Sequence, residues 1–78
     1  DIVLEGADGE LVCGECKWKN TPIDVDVLNR LVERSSLLPR SSKAFFLFSK
    51  AGFTEACKTK AGARGDVTLI TPEMMFTH

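Results

Sequence analysis

Glu15-Cys16-Lys17 is the stretch of this chain whose residue types and spacing best suit chemistry. On an extended strand side chains alternate between faces, so Glu15 and Lys17 share one surface and Cys16 points to the other. A carboxylate beside an ammonium can hold a cation and steady an anion, the two tasks that phosphoryl chemistry sets. Hairpin register decides whether Asp1 joins them. A three-residue turn at Ala7-Asp8-Gly9, with Gly9 left-handed, sets Gly6 against Glu10 and Asp1 opposite Glu15. A two-residue turn at Asp8-Gly9 pairs Asp1 with Cys16 and turns it to the other face, and both registers remain open. In the first register two carboxylates converge, which is tolerable with a hard divalent cation between them. Mg²⁺ or Mn²⁺ then binds to Asp1, Glu15, a backbone carbonyl (that of Cys16) and water. Metal-dependent phosphodiester hydrolysis is the reaction implied, with Asp1, Glu15 and Lys17 catalytic and Lys17 steadying the attacking water or the phosphate charge. The plainer alternative is a solvated hairpin on which Glu15 and Lys17 form a weak surface pair.

Other residues compete for attention. Cys13-Gly14-Glu15-Cys16 has the spacing of a redox pair, yet such a pair opens a helix, and here apolar alternation continues to Trp18. A zinc site would need two more ligands, for which Cys57 and His78 remain, and residues three apart on a strand face opposite ways. Cys13, Cys16 and Cys57 therefore read as small buried hydrophobes, and Trp18 as a strand-end packing residue. Lys19 and Lys50, with Lys43, are the lysines placed to touch phosphates, whereas Lys58, Lys60 and Arg64 read as a solvated helix face.

The elements that would position these residues follow from pattern. Residues 1–4 and 11–18 read as two strands of a hairpin around a Gly/Asp turn. Thr21-Pro22-Ile23-Asp24 carries helix-start chemistry with Thr21 as cap, and Ile23, Val27, Leu28, Leu31 and Val32 make one apolar stripe ending near 35–39. Residues 44–48 form a continuous apolar run, the mark of a central strand covered on both faces. Gly52 marks a loop, residues 54–61 a short helix that Gly62 and Gly65 stop, and Phe53 a staple of that helix to the sheet. Residues 67–70 make a strand, and Thr71-Pro72-Glu73 opens a last helical turn. The order ββαβαβα predicts an α/β domain with a mixed sheet and helices on its faces.

Seventy-eight residues, 44% hydrophobic and 27% charged, fit one small domain and exclude a disordered or fibrous chain. Ten basic against eleven acidic side chains leave no global field for nucleic acid or membrane, so any such contact is local. The longest apolar run is too short to span a bilayer. Three cysteines, an odd number, suit a reduced cytoplasmic protein better than a disulfide scaffold.

The Asp at the start of one strand, the turn, and Glu15-Cys16-Lys17 followed by an amphipathic helix and a buried strand resemble the restriction-endonuclease-like superfamily with its D…(D/E)-x-K signature. Asp1 and Glu15 match its metal carboxylates and Lys17 its catalytic lysine. Asp1-Ile2-Val3, Gly14-Glu15-Cys16-Lys17-Trp18, Phe45-Phe46-Leu47-Phe48 and above all Ser49-Lys50-Ala51-Gly52-Phe53-Thr54 resemble the C-terminal domain of unknown function fused to archaeal and bacterial AAA-type ATPases. The resemblance implies a three-layer α/β/α domain over residues 1–78, truncated, because a helix and a strand normally precede the Asp. It also implies the N-terminal ATPase module as partner and DNA as the nucleic acid. No G-x-x-x-x-G-K-[ST] occurs, so this chain binds no ATP through a P-loop. An incomplete sheet edge or apolar face predicts a homodimer or larger assembly. The alternative function is a non-catalytic docking or regulatory module of the ATPase.

Overall fold

The computed structural model describes residues 2–5, 10–38 and 42–73. Four strands and two helices follow in the order β1 (Ile2–Glu5), β2 (Leu11–Lys17), α1 (Val25–Ser35), β3 (Ser42–Ser49), α2 (Glu55–Arg64) and β4 (Val67–Ile70). The strands make one sheet in their sequence order. β1 runs antiparallel to β2, whereas β2, β3 and β4 are mutually parallel, as the intervening helices require. The chain is thus α/β, built on three parallel strands and two helices. The last helical turn expected after β4 begins at Pro72 and Glu73, and residues 74–78, His78 among them, lie outside the described residues.

Strand alternation explains the core. Cys13, Phe45 and Leu47 point to one face, where Leu28 and Leu31 of α1 and Cys57 and Ala61 of α2 close over them. Each large side chain buried this way contributes about 1.5–3 kcal/mol. Val27 and Val32 flank the α1 stripe half-buried, as its spacing predicts. Because both helices pack into this one cluster, the described residues form two layers, and the helix layer expected on the opposite face is not among them. That face carries the half-buried Phe46, Phe48 and Ile70, so among the described residues helices cover the central strand on one side, not on both as expected. No helix among the described residues is long and apolar enough to cross a membrane.

The helix ends correct two readings. Asp24, not Thr21, caps α1, accepting from the Val25 amide at 2.7 Å, because Ile23 is drawn into a parallel bridge with Phe53 before the helix can begin. Ser35 and Ser36 hydroxyls donate to the carbonyls of Val32 and Glu33, satisfying acceptors of the last turn. Gly62 lies inside α2, and the stop comes at Gly65, left-handed at φ 78°, whose amide donates to the Ala61 carbonyl.

Candidate functional site

β2 lies between β1 and β3, and Glu15 stands opposite Leu47 near its C-terminal end, the edge of a parallel sheet where α/β proteins place their ligands. Since Glu15 shares the face of Cys13, its side chain turns under α1 and is buried, with the residue 8% exposed. This corrects the picture of a solvated hairpin surface. Lys17 follows on the same face, and its Nζ sits 2.9 Å from Glu15 Oε2. From α1, Arg34 brings Nη1 to 3.6 Å of Glu15 Oε1. Arg30, one turn earlier on the same helix face, pairs with Asp26 at 3.3 Å. Together Glu15, Cys16, Lys17, Arg30 and Arg34 line a cleft of about 260 Å³. Two of these cations, Lys17 and Arg34, thus meet at Glu15, and the third, Arg30, is held by Asp26. A smaller cleft of about 180 Å³ adjoins it, shares Lys17 and Arg30, and is bordered by Lys19, Asp24 and Asp26.

Of the residues expected at the site, the structure brings Glu15 and Lys17 together and puts Cys16 in the cleft wall. Asp1 lies outside the described residues, as does the turn at residues 6–9. The pairs that are described, Ile2 with Gly14 and Val3 with Cys13, have the register of the three-residue turn. Lys19 borders the second cleft. Lys50 lines neither, although its amide donates to the Lys17 carbonyl at 3.3 Å and so ties the end of β3 to the end of β2. Cys16 is exposed rather than buried, because it points away from the two described helices, and Trp18 is 55% exposed rather than packed. Arg30 and Arg34 stand on the polar face of α1, which the apolar stripe by itself does not assign to any site. Their i, i+4 spacing on the helix directly after the E-x-K strand is the signal that could have placed them.

Donor chemistry bears on the expected metal. The Glu15 carboxylate and the Cys16 carbonyl are hard oxygens, and Mg²⁺ keeps several waters and needs only one or two carboxylates. The residues fit such an ion in kind, as part of a shell. Among the described residues no group of three His, Cys, Asp or Glu gathers to hold a metal ion, and Asp1, the second carboxylate expected, lies outside them. Cys13 is buried under the helices and Cys16 exposed, which keeps the two thiols from sharing a zinc.

A second polar cluster sits where β3 leads into α2. The buried Ser49 hydroxyl donates to the Gly52 carbonyl at 2.7 Å, closing a turn in which Gly52 takes φ 92°. Ile23 donates to Gly52 and Thr54 donates to Ile23, each at 2.9 Å, so the loops that open the two helices are laced together. Thr54 Oγ1 accepts from the Cys57 amide and donates to Asp24 Oδ1 at 2.8 Å. The Thr54 hydroxyl, then the Val25 amide, hold the Asp24 carboxyl below its ordinary 3.8. Burial, with the Asp24 and Asp26 carboxylates adding to it, pushes the Cys57 thiol up. The Ser-Lys-x-Gly-Phe-Thr stretch is thus a connector: its Ser, Gly and Thr are taken up by backbone geometry and capping.

No family model, curated protein or solved structure matches the chain.

Proposed function

We propose that this chain is a nuclease-like module of the D…E-x-K kind, acting on the phosphodiester backbone of nucleic acid, DNA first. The observation that carries the reading is the buried Glu15 carboxylate with Lys17 at 2.9 Å, at the end of a parallel strand, in a cleft whose other charged walls are arginines. In this reading Asp1 and Glu15 hold a divalent cation, which when bound polarises a phosphoryl oxygen and lowers the pKa of a water. Lys17, steered by Glu15, donates from Nζ to the attacking water or to a non-bridging oxygen. Arg34 balances the Glu15 charge before the ion arrives. The same proposal includes the restriction-endonuclease-like arrangement with a second helix layer and a mixed sheet, attachment to an AAA-type ATPase module, and a cytoplasmic location.

The test is thermal and chemical. Mg²⁺ or Mn²⁺ should raise the melting temperature, as preferential binding to the folded state requires. The chain should then cleave single-stranded, duplex or branched DNA, and Glu15→Ala should abolish both effects. A melting temperature unmoved by either cation, with no cleavage, overturns the reading.

One observation favours the docking alternative. Phe46 and Phe48 lie on a sheet face over which no helix packs among the described residues, and such a face suits a partner module or a second copy of the chain. A monomer at high concentration in sedimentation, unchanged by the ATPase module, would remove that alternative.

A further inference from the structure

We infer that Lys17, Arg30 and Arg34 form a phosphate-binding cleft that works without a metal ion. The inference deepens the phosphodiester-directed reading and rests on it, but its chemistry is separate. Among the described residues the lining of this cleft carries three cations, Lys17, Arg30 and Arg34, and one carboxylate, Glu15. Glu15 is buried and fixed by its strand, so it serves as a post that aims the Lys17 ammonium, and even with Asp26 on Arg30 the three cations meet only two carboxylates among the described residues. Lys17 and Arg34 are 35% and 53% exposed in their side chains, and Arg30 58%, so all three are reachable from solvent. The Arg30 pair with Asp26 is a surface pair at 3.3 Å, of the kind that exchanges readily for a stronger anion.

The shape of the charge selects the ligand. Lys17 comes from the strand wall, and Arg30 and Arg34 from the helix wall one turn apart. A tetrahedral phosphate presents oxygens to both walls at once, and guanidinium forks match it pairwise. A carboxylate, being planar, would satisfy one wall and leave the other. The ligand is therefore a phosphate group, either an internal diester of a polynucleotide or a terminal monoester.

The test uses the 78-residue chain in EDTA. Inorganic phosphate should shift the side-chain resonances of Arg30 and Arg34 and the amide of Lys17. A short single-stranded oligodeoxynucleotide should bind, and the double variant Arg30→Gln, Arg34→Gln should weaken it about tenfold and flatten the dependence of log affinity on log salt by about 1.4. Lys58→Gln, which removes an exposed α2 cation paired with Glu55, should change neither quantity. Tighter binding of a 5′-phosphorylated oligonucleotide assigns the cleft to a monoester, and equal binding assigns it to the diester backbone. Failure to bind in EDTA, or an unchanged salt slope in the double variant, overturns the inference. Cleavage with Mg²⁺ but no binding in EDTA would sink the phosphate cleft and spare the nuclease. Binding in EDTA with no metal effect would do the opposite.

Discussion

Where β3 turns into α2, Ser49, Gly52, Thr54 and the facing Asp24 close on one another through short hydrogen bonds. At the end of β2, Glu15, Lys17, Arg30 and Arg34 stand instead around an open cleft, whose described lining holds three cations and one carboxylate. Both regions lie at the same edge of the parallel sheet, and both look like motifs in the sequence. The difference is in where the polar groups are used. In the first, donors and acceptors answer each other inside the chain, so the cluster is architecture. In the second, the charged side chains pair with one another yet stay open to solvent, where a group from outside can join them.

The contrast predicts opposite responses to substitution. Thr54→Ala removes the α2 cap and a donor to Asp24, and should cost about 1–2 kcal/mol. For a domain of this size each kcal/mol lowers the melting temperature by about 4–8 °C, while oligonucleotide affinity of the folded chain should stay as it was. A melt that does not move would show that the junction is not self-contained. Next in size, Glu15→Gln keeps the shape but removes the negative charge, at about 1 kcal/mol for the altered hydrogen bonding. Two readouts should then diverge: stabilisation by Mg²⁺ disappears, and oligonucleotide binding in EDTA strengthens. Weakening of both would merge the two regions into one structural role.

The acid limb of stability sharpens the same point. Because the folded Asp24 carboxyl titrates below its ordinary 3.8, its contribution is complete above that value and is lost as pH falls through the lower folded one. Melting followed from about pH 6 to about pH 2 should drop more steeply in the native chain than in Asp24→Asn. Parallel curves would remove the Thr54 contact as a source of stability. The smallest effect concerns the thiols. Cys16, exposed, should react with an alkylating reagent in the folded chain without changing its melt, whereas Cys13 and Cys57 should wait for unfolding.

Much of the architecture was legible because it rests on local pattern. The alternation through residues 11–17 and the stripe ending in Leu31 and Val32 each fix an element and its buried face, whereas the apolar run at residues 44–48 fixes a strand but not its cover, which the described helices supply on one face and not on both. The hairpin was readable too, since its turn residues allow few registers and one of them is observed. Thr21 failed as a cap because a long-range bridge between Ile23 and Phe53, invisible locally, overrode a sound helix-start signal. Gly62 failed as a stop because an exposed glycine in a helix costs only about 1 kcal/mol, which tertiary packing of Cys57 and Ala61 covers. At the site, Glu15 and Lys17 follow from strand period alone. Arg30 and Arg34 did not, because the polar face of an amphipathic helix looks the same whether it meets water or the rim of a neighbouring strand.

The Ile23 and Phe53 bridge has a consequence for motion. Two amides, those of Ile23 and Thr54, are each donated across to the other crossover, so neither helix can fray from its first turn without breaking a bond that belongs to the other. Opening of α1 and opening of α2 become one event, and protons on those two amides should exchange with solvent together rather than as separate local fluctuations. The wall that carries Arg30 and Arg34 is then held at its root by the second crossover, some thirty residues further along the chain. A ligand entering the cleft meets a spacing already set, and binding there loses little entropy in ordering the backbone.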